Sequence, residues 1–116
     1  MDSENDSEKK ILVIDDLRTY VPGSTEWVFH ARTVELGDRM LWCYAPWHAV
    51  MLDHDMGAGA TTRPIVDALA EAVYWDEWIP DVTEWYVQSI NPVGAAYLMQ
   101  SLDRLGFRPR RIYLPG

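Results

Sequence analysis

Ala49-Val50-Met51-Leu52-Asp53-His54-Asp55-Met56-Gly57 decides how the rest of the chain is placed. Four apolar residues in a row, preceded by Trp47 and His48, predict a strand covered on both faces, the pattern of parallel strands in α/β proteins. The run stops at two acids flanking a histidine, and Gly57 and Gly59 follow. A strand that delivers carboxylates to a glycine-rich turn sets them at the carboxyl edge of a sheet, where open α/β folds bind their ligands.

Working outward, Ile11-Leu12-Val13-Ile14 is a second apolar run and ends in Asp15-Asp16. It predicts another buried strand with acids at its carboxyl end. Leu17 to Thr25 contains Pro22-Gly23-Ser24, too broken for a long helix, and is expected to be a loop. Glu26 to Arg32 predicts a strand. Thr33 then caps a helix carried by Leu36, Met40, Leu41 and Tyr44 until Pro46, weakened by Gly37. Beyond the glycines, Thr61 or Thr62 caps a helix with Pro64 in its first turn, and Ile65, Val66, Leu69, Ala72 and Val73 form its apolar stripe to about Trp75. Glu84 to Ile90 predicts a strand. Asn91-Pro92 opens a helix whose expected stripe is Val93, Ala96, Tyr97, Met99, Leu102 and Leu105, with Gly106 as its stop. Arg110 to Leu114 is a last short strand. Strands alternating with helices through short loops predict a five-stranded parallel sheet with right-handed crossovers and helices on both faces, the first helix reduced to a loop and none after the last strand.

Composition bounds the function. The chain has 116 residues, enough for one core, and its 48% hydrophobic content marks it as globular. Met1 to Lys9 is polar and acidic and is expected to be a disordered tail, with residues 10–116 the single domain. The net charge is −8, which argues against general binding of duplex nucleic acid. Cys43 is the one cysteine, so no internal disulfide or cysteine-based zinc site is expected. The longest apolar stretch, Met40 to Leu52, is broken by Pro46 and His48 and falls short of the about 20 residues of a membrane helix. The first residues are the reverse of a signal peptide. A cytoplasmic protein without a membrane partner is expected. Lys9 and Lys10 are the two lysines, both at the tail boundary, so a Walker-type loop or a Schiff base is not expected in the fold.

Three strand ends carry polar groups to one edge: Asp15 and Asp16, then Asp53, His54 and Asp55, then Gln88, Ser89 and Asn91. Several carboxylates in reach of one another cannot all ionise unless a cation sits among them, and oxygen ligands favour Mg²⁺, with Mn²⁺ as the substitute. Asp15, Asp16, Asp53 and Asp55 are therefore the expected metal ligands. Arg18, Gln88, Ser89 and Asn91 are expected to bind phosphate, helped by free N–H groups where the helices after Gly59 and at Asn91 open toward the edge. Taken singly, each acid is as readily a turn or cap residue, and Asn91 a cap before it is a ligand. His54 between two acids is expected to favour its protonated form, and it joins Asp53 and Ser89 as a candidate catalytic residue. His30 and His48, inside strand patterns, are expected to be structural. Trp27, Trp75, Trp78 and Trp85 offer an aromatic surface for self-association. Arg104, Arg108, Arg110 and Arg111 form a basic cluster, read as a solvated face.

The segments Ile11-Leu12-Val13-Ile14-Asp15-Asp16-x-Arg18, Leu52-Asp53-His54-Asp55-Met56-Gly57 and Ser89-x-Asn91-Pro92-Val93-Gly94 resemble the motif set of the cyclic-phosphate processing receiver domain. The resemblance spans about residues 11–106. It implies a compact flavodoxin-like, receiver-like fold with an acidic divalent-metal pocket, in a bacterial cell or a phage-infected host. It also implies that a cyclic phosphate end or cyclic nucleotide is bound or hydrolysed. Asp15 and Asp16 would correspond to the receiver acid pair, Asp53 to the acid that receivers phosphorylate, and Ser89 to the hydroxyl after the fourth strand. The chain departs from the pattern at Gln88, where the family usually carries histidine; an amide does not transfer protons near neutral pH. It also lacks the receiver lysine after the fifth strand. The partner expected is thus a phosphate-containing small molecule or nucleic-acid end, handled by a metal-dependent phosphoesterase or a binder. The alternatives are a phosphoacceptor signalling domain and an interaction protein that keeps the fold without the chemistry.

Overall fold

The computed structural model describes residues 8–115. Five strands and three helices follow in the order β1 (Lys9–Ile14), β2 (Glu26–Ala31), α1 (Val34–Cys43), β3 (Trp47–Leu52), α2 (Arg63–Tyr74), β4 (Val82–Val87), α3 (Pro92–Arg104) and β5 (Arg110–Arg111). All strand pairings are parallel, in the spatial order β2-β1-β3-β4-β5. Most of the expected tail lies outside the described residues; Lys9, placed in that tail from the sequence, opens β1 instead. No helix among the described residues is long and apolar enough to cross a membrane.

The strand order corrects the expectation of helices on both faces. The steps from β2 to β3, β3 to β4 and β4 to β5 all move the same way across the sheet, so right-handed crossovers put α1, α2 and α3 on one side. Their buried residues Leu41, Ile65, Val66, Leu69, Leu98 and Leu102 form one core with Leu12, Ile14, Val50, Leu52, Trp85 and Val87 of the strands. Only the step from β1 to β2 runs the other way, and its connection is the helix-free loop 15–25. The second face, Ile11, Val13, Ala49 and Met51, is covered by Tyr20 of that loop, by Val28 and Tyr86, and by Ile112 and Leu114 after β5. β5 is accordingly shorter than expected, because the chain past Ile112 turns to cover that face.

The helices begin where the caps predict. Thr33 Oγ1 accepts the Leu36 N–H at 3.1 Å, and Asn91 Oδ1 accepts those of Val93 and Gly94 at 3.1 and 3.2 Å. Gly37 is a packing residue: a Cβ there would stand 2.7 Å from Ile14 Cγ2, so the glycine lets α1 rest on β1. The stripe of α3 is turned from the one expected. Gly94, Ala95, Leu98 and Leu102 are buried, while Val93 is exposed, because the capped first turn brings Gly94 down on His54. In α1, Leu41 is core while Leu36 and Tyr44 are exposed. Trp85 is buried and stacked on Phe107, with ring centroids 5.6 Å apart, so it leaves the expected aromatic surface, whereas Trp27, Trp75 and Trp78 are exposed.

Candidate functional site

The strand register builds the site. Ile14 pairs with Leu52, and Leu52 with Val87, so Asp15, Asp53 and Gln88 stand side by side one residue past the aligned strand ends. The ladder runs on through them: Asp15 N–H donates to Ala31 O (3.1 Å), Asp53 N–H to Ile14 O (3.0 Å) and Gln88 N–H to Leu52 O (3.0 Å). All three side chains are buried. The loop after β1 then folds over them. Asp15 Oδ1 accepts the N–H groups of Leu17 and Arg18, both at 2.8 Å, which is why the chain turns sharply at the acid pair. Arg32, which follows β2, holds this loop from the side by donating to Asp15 O (3.2 Å) and Arg18 O (2.6 Å).

Asp15, Asp16 and Asp53 each offer an oxygen within 4.8 Å of the others. Arg18 lies across two of them, with Nη1 3.7 Å from Asp15 Oδ2 and 3.4 Å from Asp53 Oδ2. Burial first, and the neighbouring charge of Asp15 second, push the Asp53 carboxyl up to about 6; the N–H groups of His54 and Asp55 and the Arg18 guanidinium pull the other way. Gln88 Nε2 donates to Asp15 Oδ2. Its Oε1 is buried without a hydrogen-bond partner among the described residues. A recess of about 240 Å³ opens over this group, lined by Asp16, Arg18, Asp53, Asp55, Gly57 and Ser89, with Leu17 and Ile90 also on its wall. Gly57, at φ +82°, forms a close wall: a Cβ there would stand 2.9 Å from Asp16 Oδ2.

Not every expected residue joins the cluster. Asp55 lines the recess but is not among the three converging acids; its Oδ1 lies 2.6 Å from His54 Nδ1, and Asn91 Nδ2 donates to both its oxygens at 3.3 and 3.4 Å. The His54 hydrogen bond, outweighing burial, holds the Asp55 carboxyl below its ordinary value, with Asn91 adding to it. His54 is corrected as a catalytic candidate. It is buried under α3, with Gly94 so close that a Cβ there would stand 2.4 Å from its ring, and both ring nitrogens are engaged. Arg63 Nε–H donates to Nε2 at 2.8 Å, so that nitrogen presents a lone pair and the proton sits on Nδ1, facing Asp55.

The helix openings are closed to anions. Asn91 Oδ1 takes the Val93 and Gly94 N–H groups, Asn91 O takes that of Ala95, and Pro92 has none. At α2, Thr62 O accepts from Ile65 (3.0 Å) and Val66 (3.4 Å), and Thr62 Oγ1 donates to Asp53 O at 2.5 Å in place of capping. Asn91 is thus a cap and a tether for Asp55. Ser89 Oγ accepts the Asn91 N–H at 3.1 Å, and Ser89 O accepts from Arg111 Nη2 at 2.5 Å. Sequence reasoning gave no site role to Arg32, Thr62, Arg63 or Arg111, naming Thr62 only as a helix cap and Arg111 only in the basic cluster. Of these only Arg32 carried a signal, as a cation at the carboxyl end of a strand. His30 is structural as expected, its Nε2 accepting the Tyr20 N–H at 3.3 Å. Lys9 and Lys10 stand at the start of β1, the end of the sheet away from the acids.

Comparison with known proteins agrees with this geometry. The family model described as the cyclic-phosphate processing receiver domain matches residues 10–104. No curated protein matches the chain at a significant level. Among solved structures, a fusion protein carrying a yeast Spc42 trimeric coiled-coil segment superposes with a TM-score of 0.52 at 13% identity, over 92% of this chain and 67% of that one, a likeness of fold alone. The family model covers most of the chain, from the start of the sheet to the end of α3, and the chain therefore belongs to the cyclic-phosphate processing receiver domain family.

Proposed function

We propose that this domain binds a cyclic phosphate ester with the help of a divalent cation held by Asp15, Asp16 and Asp53, and that Arg18 is the second cationic partner of the phosphate. The observation that carries the proposal is the convergence of three carboxylate oxygens within 4.8 Å, two of the acids buried, at the foot of an open recess. The donor set fits a hard ion such as Mg²⁺ or Mn²⁺, which takes oxygen ligands and fills its remaining positions with water and phosphate oxygens. Asp15 has only Oδ2 to give, because Oδ1 already accepts two backbone N–H groups. Asp16 and Asp53 would supply the other oxygens. When bound, such an ion neutralises the acids and polarises a phosphoryl oxygen.

Arg18 is suited to the guest because its guanidinium already lies over the acids and is left partly exposed to the recess. Leu17 and Ile90, both largely exposed, give the recess apolar walls that favour an ester carrying a sugar or base over inorganic phosphate. Binding is favoured over hydrolysis. Gln88 is an amide, and His54 has both nitrogens engaged and does not line the recess, so neither is placed to move a proton to or from a guest.

Calorimetric titration with 2′,3′-cyclic and 3′,5′-cyclic nucleotides, with Mg²⁺ or Mn²⁺ and with chelator, tests this directly. Metal-dependent binding without turnover, lost in Asp16→Ala, is the expected result. Binding that ignores the metal, or survives Asp16→Ala unchanged, would overturn the cation's role. Turnover of the nucleotide would replace the binding reading with a phosphoesterase.

A further inference from the structure

The two edges of the sheet are built differently. β5 is two residues long and lies between Pro109 and Pro115, which blunts it. β2 runs six residues, Glu26–Ala31, without proline or lysine, and among the described residues nothing pairs with its outer side. The register shows which groups it presents. Thr25 O and Ala31 O accept the N–H groups of Lys9 (2.8 Å) and Asp15 (3.1 Å), so odd-numbered residues turn their peptide groups toward β1. The even-numbered residues Val28 and His30 therefore turn theirs outward. Glu26 N–H is held by Gly23 O at 3.2 Å.

On the helix side of the sheet the side chains of this edge strand are apolar. Phe29 meets Trp47 edge-on at 5.7 Å on the helix side of the sheet, and Trp27 shares that side by alternation. Trp27 is 55% exposed and Phe29 37%. Between Phe29 and α1 runs a largely apolar groove of about 300 Å³ walled by Lys10, Phe29, Leu36, Met40, Tyr44 and Trp47. Free backbone groups alongside an apolar groove are what an added strand requires.

We infer that the occupant is a second copy of this chain, its β2 lying antiparallel to this β2 about a twofold axis at Val28, so that two sheets join into one. The strand is complementary to itself in that register. Val28 faces the partner's Val28, and their outward N–H and C=O groups exchange two hydrogen bonds. Trp27 faces the partner's Phe29 in a non-hydrogen-bonded pair, the closest cross-strand position, and the reciprocal pair repeats it. Glu26 faces the partner's His30, so no like charges meet. The axis is perpendicular to the sheet, which keeps both helix layers on one side and brings the partner's Trp27 over the groove beside Phe29. The exposed Leu36 of each α1 is covered in the same contact.

Sedimentation of the full chain across the micromolar range should show a reversible monomer–dimer equilibrium. Val28→Pro removes an outward N–H and no bond to β1, and should give a monomer. Trp27→Ser, at an exposed position, should weaken the dimer by about tenfold or more with unchanged circular dichroism and melting. In a Cys43→Ser background, Val28→Cys should form a disulfide-linked dimer on oxidation, since directly paired residues lie about 5.5 Å apart between Cα atoms. A chain that stays monomeric, a dimer that survives both Val28→Pro and Trp27→Ser, or one abolished instead by Trp75→Ser would overturn the proposal.

Discussion

Replacing Asp53 with asparagine should stabilise the metal-free protein, and by an amount that grows with pH. The Asp53 carboxyl is pushed from its ordinary 3.8 up to about 6, chiefly by burial and then by Asp15. The folded state therefore holds this proton more tightly than the unfolded chain does. The stabilisation is complete below the unfolded value and is lost as pH rises through about 6, so above that the ionised carboxylate is carried at a cost. A shift of just over two units corresponds to about 3 kcal/mol. Asparagine keeps the shape and an acceptor for the N–H groups of His54 and Asp55, and it stays neutral. Urea unfolding of both proteins in chelator, at steps between about pH 4 and pH 8, reads the difference. It should be close to zero at the acid end and approach about 3 kcal/mol in favour of the variant at the alkaline end. Saturating Mg²⁺ or Mn²⁺ should then raise the unfolding midpoint of the natural protein and not that of Asp53→Asn. A difference that is flat with pH, or a variant that is less stable at pH 8, refutes the account of Asp53 as a buried acid short of positive charge.

Gly94→Ala should destabilise by about 1–3 kcal/mol although alanine is the better helix former by about 1 kcal/mol, because its Cβ would fall on the His54 ring; a gain in stability in thermal melts would contradict that contact. Asn91→Ala should cost about 1 kcal/mol through the lost cap of α3, read by urea unfolding, and an unchanged midpoint would show the cap to be idle. Arg18→Ala should move the Asp53 titration higher still, because the guanidinium is one of the groups pulling it down. Carboxyl-carbon NMR measures this, and an unmoved titration would show that Arg18 does not act on Asp53.

The strands were legible because apolar runs ending in acids leave few alternatives: Ile11 to Ile14 and Ala49 to Leu52 fall inside β1 and β3. So were the caps at Thr33 and Asn91, whose chemistry is local. The convergence of Asp15, Asp16 and Asp53 followed from parallel strands having their carboxyl ends together. What failed needed information that no single segment holds. The side on which a helix lies depends on the direction of each step in the strand order, and the sequence does not display that order. The fate of His54 was set by Arg63, at the start of the next helix, and by Gly94, far along the chain, which close on its ring. The free N–H groups expected at Asn91 were consumed by the side chain that made the helix start recognisable, so one local signal carried two conflicting inferences.

The loop between β1 and β2 bears Asp16 and Arg18 on the recess and, two positions on, Tyr20 over Ile11, Val13, Ala49 and Met51. One short segment is at once the gatepost of the pocket and the keystone of the opposite flank. A guest that draws Arg18 inward would pull on the same segment that seats the Tyr20 ring behind the sheet, and the expected outcome is a stiffer rear face. Slowed amide exchange at Val13 and Met51 would then report a ligand that touches neither residue.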